Sequence, residues 1–468
     1  MKILWCGDAA CASGFARCTH AVCDHLYSLG HEIHVLALNY LGDPHEYPYT
    51  IYPCYQPSDL GSDHYGIGRL PSLIYRLKPD IVVLLQDPWN VRPYLDNLLA
   101  SQINMPPMIA WLAVDSKNQK SARELNHSHL SHVVTWTEFG AKELINGGYT
   151  GPLSIVPCGV DVDLFKPLDK TVSRIKVLGD DYNQLPDNPF IVGYVGRNQY
   201  RKRLDLTIEY FSHWIYRSNI SNAYLMLHIP PTGEDHVDIV SLAKYYGIGE
   251  KLIVSSPMQG FEESSMALIY NCFDVFLSTS QAEGWNLPAL ESMACGIPVI
   301  VPNQGATSKD GGWITEKAAI QIPCNSTALT APYPVGMYTI GGVPDEEETI
   351  NALGAVYNKR VLGYLGLNVQ QSIQAGINLA HSLTWGQSAA KFAEVINHVI
   401  DPLNYEISGM LSMTGVQGEV LRMRGRIKSD LCSYPGCDKL ALCSSGNYNN
   451  GLVCSDHFKI TNGTPACL

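Results

Sequence analysis

Four side chains in two short segments set the chemistry open to this chain. Glu283 and Glu291 lie eight positions apart, and Arg197 and Lys202 lie five apart in a loop that follows the apolar run Phe190–Val195. Cationic groups at a cleft edge can meet phosphate oxygens through charge-assisted hydrogen bonds. Carboxylates repel phosphate, so beside one they are suited to hydroxyls instead. A ligand carrying both groups, such as a sugar nucleotide, satisfies the two segments together. Singly, each pair has a plainer reading. Glutamates near a helix start complement its dipole, and an Arg and a Lys five apart usually form a solvated surface pair.

The elements around these residues are legible. Asp274-Val-Phe-Leu-Ser278 reads as a buried strand, and Gly284 punctuates the turn after it. Pro288 suits the first turn of a helix, where its missing N–H costs nothing. Gly296 and Pro298 end that helix and start the next strand. Glu283 is thereby expected at a loop tip and Glu291 in the first helical turn, beside unpaired backbone N–H groups that attract anions.

The same rhythm fills most of the chain. Ile3–Gly7 precedes a helical Ala16–Leu29, and strands are expected at Ile33–Leu38, Ile81–Leu85, Met108–Leu112 and Val133–Trp136. After a polar linker at Asp169–Pro189 come Phe190–Val195, Ala223–Ile229, Leu252–Ser255, Val275–Ser278 and Pro298–Val301. Strands alternating with helices imply parallel sheets covered on both faces. Two doubly wound units would enclose a cleft at the carboxyl ends of their strands. Residues 325–344 read as a surface insertion, Asp345-Glu-Glu-Glu348 as a helix cap and first turn, and Leu383-Thr-Trp385 as the start of a helix reaching about Ile400.

The segment 278–301 resembles the glutamate-x7-glutamate signature of the retaining glycosyltransferases of family four, which have a GT-B fold. The match runs through Ser280, Glu283-Gly284-Trp285, Leu287-Pro288, Leu290-Glu291, Met293-Ala294, Gly296 and Pro298. Trp285 stands where phenylalanine is more usual. Ile155-Val-Pro157-Cys-Gly159-Val-Asp161, with Phe165 and Pro167, is similar to the family's interdomain segment, although Cys158 departs from its asparagine or histidine. The resemblance covers about residues 1–400. It implies an α/β GT-B chain of two Rossmann-like doubly wound domains, 1–168 on the acceptor side and 169–400 on the donor side. The last helix would pack back across both.

The resemblance also implies roles. A nucleoside diphosphate sugar would donate its sugar, with retention, to an unidentified acceptor: glycan, lipid, protein or modified DNA. Glu283 would hydrogen-bond the sugar hydroxyls and Glu291 the ribose, while Arg197 and Lys202 neutralise the diphosphate. Backbone N–H groups around Asn286 and Leu287, next to Gly284, would add the helix-end contribution. Ser13-Gly14-Phe15 resembles the small-residue loop that approaches the donor, with Gly14 allowing close approach. Asp115 lies on the same edge, where many relatives place a histidine. It is a candidate for acceptor or sugar contact and equally for a turn residue. No catalytic metal is expected.

Composition bounds the rest. The chain has 468 residues, 46% hydrophobic and 16% charged, with a net charge of −12. This describes a folded globular protein of about two or three domains, and one that does not coat nucleic acid nonspecifically. No apolar run approaches the roughly 20 residues of a membrane span, and the start lacks a secretory pattern. Scattered cysteines such as Cys6, Cys54 and Cys295 read as free thiols, so a cytoplasmic location is expected. After a linker at 401–430, residues 431–468 are expected to form a small Cys/His module. Cys432, Cys437, Cys454 and His457 have the spacing of a structural Zn²⁺ site with no open position. The basic run Arg422–Lys428 precedes it. This module leaves a second function open, a GT-B-like scaffold that binds nucleic acid or protein, and a third, a transferase that modifies DNA.

Overall fold

A computed structural model describes residues 1–401 apart from 12, 41, 55–62, 230–236, 256–262, 316, 332–337, 359–360 and 363–366; beyond them it describes strands at 443–444 and 452–453. The chain divides into Met1–Tyr405 and Glu406–Leu468. In the second unit, Cys443–Ser444 pairs antiparallel with Leu452–Val453. The four expected zinc ligands and the basic run lie outside the described residues.

The first unit holds two parallel sheets. Strands β1 (Lys2–Asp8), β2 (Glu32–Leu38), β3 (Thr50–Pro53), β4 (Ile81–Gln86), β5 (Met108–Leu112), β6 (His132–Thr135) and β7 (Leu153–Ile155) form the first, in the order β3-β2-β1-β4-β5-β6-β7. Between them run α1 (Gly14–Ser28), α2 (Arg69–Leu77), α3 (Pro88–Ser101) and α4 (Glu138–Asn146). The second sheet has β8 (Phe190–Val195), β9 (Ala223–His228), β10 (Leu252–Ser255), β11 (Val275–Leu277), β12 (Val299–Pro302) and β13 (Ile320–Ile322), ordered β10-β9-β8-β11-β12-β13. Its helices are α5 (Lys170–Leu178), α6 (Leu204–Arg217), α7 (Ile239–Tyr245), α8 (Glu263–Asn271), α9 (Leu287–Ala294), α10 (Glu346–Tyr357), α11 (Val369–His381) and α12 (Trp385–Ile400).

Continuous apolar runs are what sheets covered on both faces require. All six residues of β4 are buried, as are all five of β5. In each lobe the strand order reverses beside a central strand, at β1/β4 in the first and β8/β11 in the second. Such switch points open a crevice at the carboxyl ends of the strands. Asp8 ends β1, and the loops after β4, β8 and β11 carry Asp87, the Arg197–Lys202 segment and Glu283.

Two expectations need correction. The stretch after Asp169 is not simply a linker. Asp169 caps α5 by accepting from Val172 N at 2.8 Å. Lys170 and Arg174 then bond opposite oxygens of Asp274, each at 2.6 Å, so charges that look solvated in sequence pin the helix to the second lobe. Residues 325–344 are also more than a surface insertion. Strand β14 (Cys324–Leu329) pairs antiparallel with β15 (Ile340–Pro344), and Ile340 exchanges backbone hydrogen bonds with Lys117 of the first lobe at 2.9 and 3.0 Å. The cap at Asp345 does form, accepting from Glu348 N at 2.9 Å.

Helix α12 returns to the first lobe. Thr384 and Gln387 close a capping box at its start. Its buried face puts Phe392 against Trp5 and Trp111, with ring centroids 5.3 and 4.9 Å away. Gly159 permits this return, because a Cβ there would sit 2.3 Å from Trp385 N.

Candidate active site

On the first lobe, Asp8 ends β1 and is 9% exposed. It accepts from Ser13 Oγ at 2.6 Å and Asn39 Nδ2 at 3.0 Å. Ser13 Oγ in turn accepts from Ala16 N at 3.0 Å, so one hydroxyl caps α1 and fixes the carboxylate. Burial raises the Asp8 pKa, while the bonds from Ser13 and Asn39 and the charge of Arg197 across the junction oppose the rise. Asp115, three residues beyond β5, is half-buried, accepts from Ser116 Oγ at 2.6 Å, and lies 3.9 Å from Arg201 Nε. Asp87 precedes Pro88 at the start of α3 and makes no cap bond to its helix. Burial and the neighbouring Asp115 charge push its pKa up to about 7.

The second lobe supplies the cations. Lys202 Nζ bonds Glu283 Oε1 at 2.6 Å, while Arg201 Nη1 bonds Glu283 Oε2 at 3.3 Å and the Ala282 carbonyl at 2.7 Å. Glu283 is only 4% exposed. Burial alone would raise its pKa, but Lys202 and Arg201 outweigh burial and hold it below the ordinary value. Burial lowers the Lys202 ammonium to about 8, partly offset by the Glu283 charge. Arg197 stands apart. It is exposed, with no side-chain ion pair among the described residues. The expected division of cations at one end and acids at the other is therefore not what is seen. Lys202 and Glu283 are direct partners, and Arg201 shares the bond.

Glu291 falls in the second turn of α9 rather than the first, because the helix begins at Leu287. It is 2% exposed. Arg17 of α1 bonds its Oε1 across the lobe junction and Tyr270 of α8 bonds its Oε2. The Arg17 guanidinium also lies 5.8 Å from the Phe165 ring centroid, and that ring meets Tyr270 edge-on at 5.8 Å. Phe165 thus packs behind the Glu291 cluster.

Glycines decide how closely the lobes approach. A Cβ on Gly284 would sit 3.0 Å from the Trp136 ring and 3.4 Å from Ala113 Cβ. At Gly305, where φ is +55°, a Cβ would sit 2.7 Å from the Asp115 carbonyl oxygen. Gly14 differs. A Cβ there would meet Leu287 Cδ1 at an ordinary 3.5 Å, so no protein atom demands glycine, and its value would lie in a ligand's approach. Asn286 caps α9 with left-handed backbone angles, φ 76° and ψ 64°.

The structure thus gathers Glu283, Lys202 and Asp115 around Arg201, and places Gly14 beside Leu287. Arg17, Tyr270, Asp8 and Asp87 are additional. Asp87-Pro88 directly follows the buried strand β4, and an acid before a helix-starting proline at a strand end was the signal available for it. Arg17 and Tyr270 carry no such signal, since only the fold brings them to Glu291. Among the described residues no group of three or more His, Cys, Asp or Glu side chains is placed to hold a metal.

A family model described as Glycosyl transferases group 1 matches residues 180–309. This span contains Arg197, Lys202, Glu283, Asn286 and Glu291. D-inositol 3-phosphate glycosyltransferase 2 of Catenulispora acidiphila is 27% identical over 207 residues, 42% of this chain and 46% of that protein. D-inositol 3-phosphate glycosyltransferase of Gordonia bronchialis is 30% identical over 183 residues, 38% of each chain. The chain thus spans less than half the length of these two curated relatives. Sucrose-phosphate synthase from Thermosynechococcus elongatus superposes with a TM-score of 0.63 at 15% identity, over 86% of this chain and 100% of that one. That likeness is one of fold.

Proposed function

We propose that this chain transfers a sugar from a nucleoside diphosphate sugar to an acceptor hydroxyl, with retention at the anomeric carbon. The observation that carries this reading is the meeting of Lys202 and Arg201 on Glu283 at the lobe junction, within the span matched by the group 1 model. An entering diphosphate offers Lys202 a stronger anionic partner. Glu283, released from that ammonium, then accepts from sugar hydroxyls. Arg197 adds a second cation from the same loop, and the α9 N-terminus adds backbone donors. Glu291 receives the ribose hydroxyls, exchanging them for its bond to Arg17.

In the transfer step the bond from the anomeric carbon to phosphate oxygen breaks as the acceptor oxygen bonds to that carbon from the same face. The acceptor proton leaves on the departing phosphate, and the nucleoside diphosphate carries both electrons of the broken bond. Preorganised cations act where charge develops, which is usually the largest catalytic contribution. Lobe contact through Gly284 and Gly305 excludes water that would otherwise take the acceptor's place.

The acceptor side is acidic. Asp8, Asp87 and Asp115 end or follow β1, β4 and β5, next to one another in the sheet. The names of the two relatives carry D-inositol 3-phosphate, a phosphorylated polyol. Three carboxylates at this edge favour an uncharged polyol instead.

The test pairs a thermal-shift screen of UDP-, GDP- and ADP-sugars with NMR of the glycosylated product. One donor should stabilise the protein, and the product should keep the donor's anomeric configuration. An inverted product would overturn retention, and no stabilisation by any donor would overturn the transferase reading.

A further inference from the structure

We propose that the Asn286 side-chain amide donates a hydrogen bond to the diphosphate of the bound sugar nucleotide, separately from the backbone N–H groups of α9; this rests on the donor reading above. The backbone angles at Asn286 lie in the left-handed region, which Gly and Asn adopt most readily. Backbone conformation alone therefore accepts glycine equally well. What asparagine adds is its amide.

That amide is not spent on the helix. A capping asparagine ordinarily accepts from an N–H in the first turn, and Asn368 does this at α11, accepting from Gln370 N at 2.8 Å. Asn286, in the same position at α9, makes no side-chain cap bond. It is 6% exposed, yet its Nδ2 has no hydrogen-bond partner among the described residues. A buried donor left unpaired forfeits its desolvation cost, and native structures rarely tolerate this without a role. The position identifies that role. Asn286 is three residues from Glu283, and Leu287 beside it faces Gly14 of the first lobe. A helix start with free N–H groups and a buried amide N–H at the cap is a donor set for an anion, and the diphosphate is the anionic part of the proposed ligand.

Calorimetric titration with UDP, GDP and ADP tests this on wild type, Asn286→Gly and Asn286→Asp. Asn286→Gly keeps the left-handed backbone and its N–H groups while removing the amide, so it should bind the preferred nucleoside diphosphate about tenfold more weakly. Asn286→Asp places a carboxylate against the phosphates and should weaken binding about a hundredfold or more. A wild-type chain that binds one diphosphate, with both variants within about twofold of it, would overturn the role of the amide and leave the donor reading standing. A wild-type chain that binds none would overturn both.

Discussion

The two sheet edges that meet at the junction have opposite character. The first lobe offers Asp8, Asp87 and Asp115 at or just after the ends of β1, β4 and β5, with Asp8 and Asp115 held by short polar contacts. The second offers Arg197, Arg201 and Lys202 after β8, with Glu283 and the start of α9 beside them. Neither edge is a site by itself. Three carboxylates repel one another, and three cations in one loop do the same. The junction satisfies both, with Arg201 between Asp115 and Glu283 and Arg17 crossing to Glu291. Electrostatic complementarity thus joins the two lobes at the junction. On the proposed reading, a donor would compete with these internal pairs, a competition that favours a polyanionic, hydroxyl-rich molecule over a weaker one.

Breaking the cationic side should have the largest effect. Lys202→Ala is expected to cut the transfer rate at least about a hundredfold, or roughly 2.7–4 kcal/mol of transition-state stabilisation, measured by steady-state kinetics at saturating donor. Next is the bond across the junction. Arg17→Ala leaves the buried Glu291 carboxylate with Tyr270 as its one side-chain partner among the described residues, and should lower unfolding free energy by about 1–3 kcal/mol in urea titration. An unchanged midpoint would mean the pair does not hold the lobes.

The acidic side is probed through pH. Burial raises Asp87 to about 7 in the folded chain from its ordinary value of 3.8. Between those values the folded state keeps a proton that the unfolded state has released. Stability from this group is full below the lower value and is lost as pH rises through the upper one. Asp87→Asn should flatten that part of the stability–pH curve in thermal melts at a series of pH values, and an unaltered slope would contradict the assignment. The smallest structural effect belongs to Arg197→Ala. This exposed side chain should change stability by no more than about 0.5 kcal/mol while raising the donor KM. A KM equal to wild type would remove Arg197 from the diphosphate site.

Much of this was readable in the sequence because its physical signals are local. Runs such as Ile81–Leu85 must be strands between two covered faces, and Gly284, Pro288 and Gly296 punctuate one turn and one helix. The pairing of Lys202 with Glu283 was not readable. The sequence shows two charges 81 positions apart, and only the switch point between β8 and β11 brings them together. Arg17 is a harder case, since it lies on the polar side of an ordinary amphipathic helix and reaches Glu291 from the other lobe. The polar stretch after Asp169 misled for a related reason. Its lysine and arginine serve Asp274, which lies a hundred residues away.

The central claim, that the junction binds a sugar nucleotide through Lys202, is tested most directly by calorimetric titration of the full chain with UDP-, GDP- and ADP-sugars. Wild type should bind one of them, and Lys202→Ala should bind that same donor at least about tenfold more weakly. No binding by wild type, or equal binding by the variant, would contradict the account.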